Sequence, residues 1–157
     1  MNDDAISSIL IIAVLLLFSA YFSATETAFS SLNRTRLRAM AEKGNSKAAL
    51  ALSLAEKYDQ LLSSILVGNN VVNIAMSSIS TLLFVRLMPD IGATVSTIVI
   101  TIVVLIFGEI SPKSLAKENP EKFAMVSAPI IRVVIWVLTP INFLFAQWKK
   151  LLGRIFK

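Results

Sequence analysis

Apolar residues run without a charge from Ile6 to Ala24, nineteen positions in all. As a helix that run covers a hydrocarbon core of roughly 30 Å. A second run extends from Leu61 to Met88 and meets its first charge at Arg86. The third, Ile91 to Gly108, is dense in Ile, Val and Thr. β-branched residues favour strands, but uninterrupted apolar length argues for helices in lipid rather than a soluble sheet. The pattern predicts spans at about 5–32, 61–87 and 91–111, with the last two joined as an antiparallel pair through the short Arg86–Gly92 link and its Pro89. Between the first two spans, Leu37, Met40 and Ala41, and then Ala48 to Ala55, predict a helical hairpin over 34–59, broken at Gly44-Asn45. Residues Phe123 to Gln147 are apolar enough for a fourth span. Pro129, Arg132 and Pro140 interrupt them, however, and Trp136 and Trp148 suit the headgroup level. Bent helices lying along the membrane surface, a belt over 120–157, are the preferred prediction.

The expected fold is thus all-α and integral to the membrane. It has three transmembrane helices, juxtamembrane helices and an interfacial belt, in one module without internal repeats. Composition agrees: of 157 residues, 55% are hydrophobic and 16% charged, and the mean hydropathy is +0.73. A typical soluble domain is about one quarter charged. The net charge of +5 would suit a nucleic-acid binder, but the apolar excess assigns it to the membrane surface instead. The leader Met1-Asn2-Asp3-Asp4 is acidic where a signal peptide needs positive charge. Six basic residues (Arg34, Arg36, Arg38, Lys43, Lys47 and Lys57) lie between spans one and two. The positive-inside rule places that segment in the cytoplasm, the N-terminus outside and the C-terminus inside a multi-pass plasma or inner membrane. A fourth crossing would carry Lys149, Lys150, Arg154 and Lys157 outward, against the same rule.

The absence of Cys and His excludes thiol nucleophiles, Ser-His-Asp triads and zinc or haem sites built on those ligands. No enzymatic activity is expected. What chemistry there is lies in polar groups inside the spans, where one Asp costs roughly 2.5–3.5 kcal/mol at the centre. Ser19, Ser23, Glu26 and Ser30 fall within roughly 60° of one helix face. Own-helix hydrogen bonding would explain the serines alone, and Glu26 is close enough to the cytoplasmic end to reach water. In span two Asn69, Asn73, Ser77 and Ser80 share a face of about 80°, with Asn70 at its edge. Interhelical packing bonds are the plainer reading of these. In Phe107-Gly108-Glu109-Ile110-Ser111-Pro112-Lys113, Pro112 has no N–H for the Gly108 carbonyl four residues earlier. Glu109 is beside that carbonyl, with Lys113 one turn on as a partner. A Pro-terminated helix end with a surface ion pair is the alternative. Together these are oxygen ligands without soft ones, suited to Mg²⁺, Ca²⁺, Mn²⁺ or Na⁺.

Three blocks carry a family resemblance. Tyr21-Phe22-Ser23-Ala24-Thr25-Glu26-Thr27-Ala28-Phe29-Ser30-Ser31-Leu32 resembles the opening of the transmembrane module of the CorC/CNNM (cyclin M) magnesium transporters. Ile65-Leu66-Val67-Gly68-Asn69-Asn70-Val71-Val72-Asn73 and the Phe107–Lys113 block resemble the second and third, in family order, and Asn119-Pro120-Glu121 is similar too. The resemblance implies Mg²⁺ export in exchange for Na⁺ by a homodimer with three spans per subunit. It also implies an ion site drawn from Ser19, Ser23, Glu26, Asn69, Asn70, Asn73, the Gly108 carbonyl and Glu109. Where family members often have Gly-Ser-Glu, this chain has Ala24-Thr25-Glu26. Cytosolic CBS domains are implied for the full-length protein; none is expected within these residues. A membrane-anchored cation sensor or scaffold, with a structural ion and no transport, is the competing expectation.

Overall fold

The computed structural model describes residues 2–157. Among them every regular element is helical: α1 Asp3–Ser31, α2 Arg34–Glu42, α3 Ser46–Glu56, α4 Tyr58–Leu87, α5 Gly92–Val103, a π-helical segment Val104–Ile110, α6 Ser111–Glu118, α7 Pro120–Val137 and α8 Thr139–Ile155. Three stretches are long and apolar enough to cross a membrane: α1, α4 and the continuous Gly92–Glu118 helix. α1 and α4 have 29 and 30 residues and are each about 45 Å long, beyond the hydrocarbon thickness. α7 and α8 meet at a 70° bend, so the apolar region after residue 120 is a broken pair rather than one straight helix.

Local chemistry sets the helix boundaries. Asp3 and Asp4 occupy the first turn of α1, where the helix dipole favours negative charge. Asn33 caps α2 by accepting the Arg36 N–H, and Asn45 caps α3 by accepting from Lys47 and Ala48. Gly44 makes the turn between them at φ +94, a left-handed conformation that favours glycine. Asn119 caps α7, with Pro120 at its first position.

α1 is the hub, packed on α4, on α6, on the π segment and on α7. Its lower half supplies buried Phe22, Ala24, Ala28 and Phe29, and small residues of α3 and α7 (Ala48, Ala51, Ala124, Ala128) let those helices approach closely. Phe22 lies over Gly68, where a Cβ would meet its ring at 2.6 Å. The Tyr21 hydroxyl donates to the Ser127 carbonyl at 2.9 Å, tying α1 to α7. Glu121 makes a second tie at the α1–α2 junction: nearly buried, it accepts the Asn33 N–H at 3.2 Å and pairs with Arg36 at 3.7 Å. The outward faces of α1, α4, α5 and α7 are apolar and exposed, as lipid contact requires.

The helix that carries the third predicted span runs on past residue 111. It does not stop at Pro112 but continues to Glu118, and Pro112 is buried at the start of α6. The chain accommodates the proline by widening. Ser111 donates to the Ile106 carbonyl, five residues back rather than four. An N–H at position 112 would serve Phe107 in that register or Gly108 in the α register. Pro112 supplies neither. The helix therefore crosses the break without unwinding, and both carbonyls lie where its pitch changes.

Candidate functional site

Several membrane-embedded hydroxyls satisfy themselves within their own helix. Thr25, Ser30, Thr81 and Thr97 each donate to the carbonyl four residues back, at 2.7–2.9 Å. Ser19 does not. Its fully buried Oγ faces α4, 2.8 Å from Asn73 Oδ1 and 3.2 Å from Asn69 Oδ1. The Asn pair comes from i, i+4 spacing, which stacks both amides on the α1-facing side. A hydroxyl has one hydrogen, so it can satisfy only one of two acceptors fully. Three oxygens thus converge with a single proton among them.

The π segment closes the third side. A Cβ on Gly108 would be 3.0 Å from Ser19 Oγ, so the bare backbone at 108 is what lets this helix reach the cluster. One turn along α1, Ser23 Oγ is buried and has no hydrogen-bond partner. An unpaired buried hydroxyl costs about 1–3 kcal/mol.

Depth is consistent across the helices. Ser19 is 16 residues from Asp3, Asn73 is 14 from Leu87 and Gly108 is 16 from Gly92. Those three ends lie on one side of the bundle, so each group is about 21–24 Å in, near the middle of its helix.

Of the residues singled out from the sequence, Ser19, Asn69, Asn73 and Gly108 meet, with Ser23 adjoining. Glu109 follows Gly108 round the helix and is held by Lys113 at 3.7 Å, both half-exposed. Glu26 is seven residues below Ser19, about 10 Å along the axis, outside the cluster. Asn70 is exposed, turned about 100° from Asn69. Two further members of the polar stripes have other roles: Ser30 bonds its own helix, and Ser80 pairs with Ser96 of α5 at 2.9 Å, both fully buried. Among the described residues no group of three or more His, Cys, Asp or Glu could hold a metal. A cation here would rest on neutral oxygens with Glu109 as the nearby charge.

Comparison with known proteins adds the decisive observation: residues 10–157 match the model of the cyclin M transmembrane N-terminal domain. The chain belongs to the cyclin M transmembrane domain family. It is 40% identical over 156 residues to a UPF0053 protein of Haemophilus influenzae, covering 99% of this chain and 37% of the relative. It is 41% identical over 137 residues to the UPF0053 inner membrane protein YfjD of Escherichia coli, covering 87% of this chain and 32% of the relative. A chloroplastic DUF21 domain-containing protein of Arabidopsis thaliana is 34% identical over 128 residues, covering 82% and 19% respectively. The chain therefore spans about a third of the length of the first two relatives. The family model is that of a transmembrane domain, in keeping with the three helices long and apolar enough to span.

Within this cyclin M domain, sequence reasoning had overlooked Glu121 as a tie. It registered only as part of the Asn119-Pro120-Glu121 resemblance, and its partners Asn33 and Arg36 lie more than eighty residues away. Gly68 as the recess under Phe22 was also missed; a glycine facing an aromatic on another span leaves no local signature.

Gly108→Ala separates site from scaffold. Alanine gains about 1 kcal/mol of helix propensity, so thermal stability should stay within about 1 kcal/mol of wild type. Its Cβ pushes Ser19 off the asparagines, and cation affinity measured by calorimetry should fall at least about fivefold.

Proposed function

We propose that this domain exports Mg²⁺, with Ser19, Ser23, Asn69, Asn73, the Gly108 carbonyl and Glu109 forming the site through which the ion passes. The observation that carries the reading is the buried Ser19 hydroxyl facing two amide oxygens with one proton between them. Lone pairs crowded at membrane mid-depth are stabilised by a cation and strained without one. The donor set supports a hard cation: hydroxyl, amide, carbonyl and carboxylate oxygens with no soft ligand among them are the chemistry that holds Mg²⁺.

Glu109 supplies negative charge, and its pairing with Lys113 gives a release device. The ammonium holds the carboxylate when the ion has left and yields it when the next ion arrives. Alternating access would open the mid-depth site first to the cytoplasm, where the basic 34–57 segment lies, and then outward. Na⁺ would return through the same oxygens. In this reading the N-terminus is outside, the C-terminus is cytoplasmic, α7 and α8 form the interfacial belt, and two copies associate as a homodimer. The full-length protein would add cytosolic CBS domains.

The experiment is Mg²⁺ flux from proteoliposomes, followed with an enclosed dye, with and without an opposing Na⁺ gradient. The proposal expects saturable flux accelerated by that gradient. Absence of flux at every gradient would make the ion structural and the domain a sensor or scaffold. Non-saturating flux indifferent to Na⁺ would make it a channel.

A further inference from the structure

Arg132 is the single charge between Phe123 and Trp148, and nothing proposed above uses it. It lines a recess of about 470 Å³ between α3, the start of α4 and α7, with Lys57, Gln60, Ser53, Trp136 and Thr139. No carboxylate lines this recess; Asp59 and Glu56 lie instead on the neighbouring ones, Glu56 next to Lys57 in the chain and paired with no cation among the described residues. Among the described residues the ion pairs are Arg36–Glu121 and Glu109–Lys113, so Lys57 and Arg132 both lack an acidic partner. The first turn of α4 has no side-chain cap, and its N–H groups face Asp59 within the same turn, which leaves Lys57 and Arg132 as the charges of the recess itself.

A second recess, of about 390 Å³, adjoins the first and shares Leu50, Arg132 and Trp136 with it. Its remaining walls, Pro129 and Val133, are apolar. Lys57 immediately precedes a membrane-spanning helix, and Trp136 is 76% exposed on a helix face that also exposes Ile130 and Val133. Both recesses therefore lie at headgroup level. A cationic cup continuous with an apolar slot there matches an amphiphile with an anionic head.

We propose that these two recesses bind one anionic phospholipid, its phosphate between Lys57 and Arg132 and the start of an acyl chain against Leu50, Pro129 and Val133. Gln60, Ser53 and Thr139 offer further polar contacts to the headgroup. The slot selects a lipid over a free phosphate, because only the lipid fills both halves.

The test uses W148F, which leaves Trp136 as the single tryptophan of the chain. The protein is placed in nanodiscs containing phosphatidylglycerol or phosphatidylcholine with the same brominated acyl chains, and quenching of Trp136 is followed against mole fraction. Phosphatidylglycerol should reach half-maximal quenching at a mole fraction at least about fivefold lower than phosphatidylcholine. K57Q and R132Q should each reduce that preference to about twofold, and together should abolish it with helix content by circular dichroism unchanged. Equal quenching by the two lipids in W148F itself overturns the proposal, whatever the variants do. So does a preference that survives the double substitution, or release of the lipid by millimolar inorganic phosphate, which would mark a free-anion site.

Discussion

Asn73→Ala is expected to cut Mg²⁺ flux at limiting Mg²⁺ by about tenfold or more while leaving the domain folded. The amide oxygen is the nearest side-chain contact of Ser19, at 2.8 Å, and comes from the middle of α4. An interaction with a full charge is worth about 1.5–3 kcal/mol even as a hydrogen bond, so losing this oxygen should weaken ion binding by about tenfold or more. Stability should respond much less. The Ser19 bond contributes about 0.5–1.5 kcal/mol, and alanine returns about 0.7 kcal/mol of helix propensity. Ser77→Ala is the control: it is one turn further along the same face, but its side chain is exposed and touches no part of the cluster. Flux near wild type in Asn73→Ala would remove that residue from the ion's path.

The largest loss of stability is expected at Gly92→Ala. Gly92 is buried at the start of α5, and a Cβ there would fall on the Phe84 carbonyl group, 2.6 Å from its carbon and 2.7 Å from Val85 Cα. Both are backbone atoms of α4, so no side chain can rotate aside, and the two helices must part at their tightest point. Overpacking typically costs about 1–3 kcal/mol, and a backbone collision belongs at or above the upper end. The Ser80–Ser96 bond, two buried hydroxyls with no other partners shown, would be strained by the same movement. Gly153→Ala provides the contrast. Nothing lies within 4 Å of a Cβ at that position, so the helix-propensity gain of about 1 kcal/mol should appear as a raised midpoint. The measurement is thermal unfolding in detergent. A midpoint for Gly92→Ala equal to wild type would mean that the α4–α5 approach is looser than described.

The spans were legible because lipid imposes one simple rule: a run such as Ile6–Ala24 must be helical and must have a minimum length. The hairpin was legible from Gly44-Asn45, where a left-handed turn and an N-cap fall on adjacent residues. The course of the third span was not. Proline predicts a stop from local sterics, but the decision between stopping and widening into a π turn depends on α1 packed alongside. The cluster was half legible. Helical phase brought Ser19, Asn69 and Asn73 to facing stripes, yet phase treats every member of a stripe alike. Only the rotation of each helix against its neighbours turns Ser19 outward to α4, Ser80 to α5 and Ser30 back on its own carbonyl. Glu121 lay beyond local reading altogether, since its meaning depends on a contact with the α1–α2 junction.

The central claim is that the transported ion lies where Ser19 meets the asparagines. Mn²⁺ shares the preference for hard oxygen ligands and scatters anomalously. An anomalous difference map from Mn²⁺-soaked crystals therefore locates the ion directly. The account predicts one peak per chain within about 2.2 Å of Ser19 Oγ and Asn73 Oδ1, lost when excess Mg²⁺ competes. A peak confined to the Glu26 or Asp59 carboxylates, or none between α1, α4 and the π segment, would contradict it.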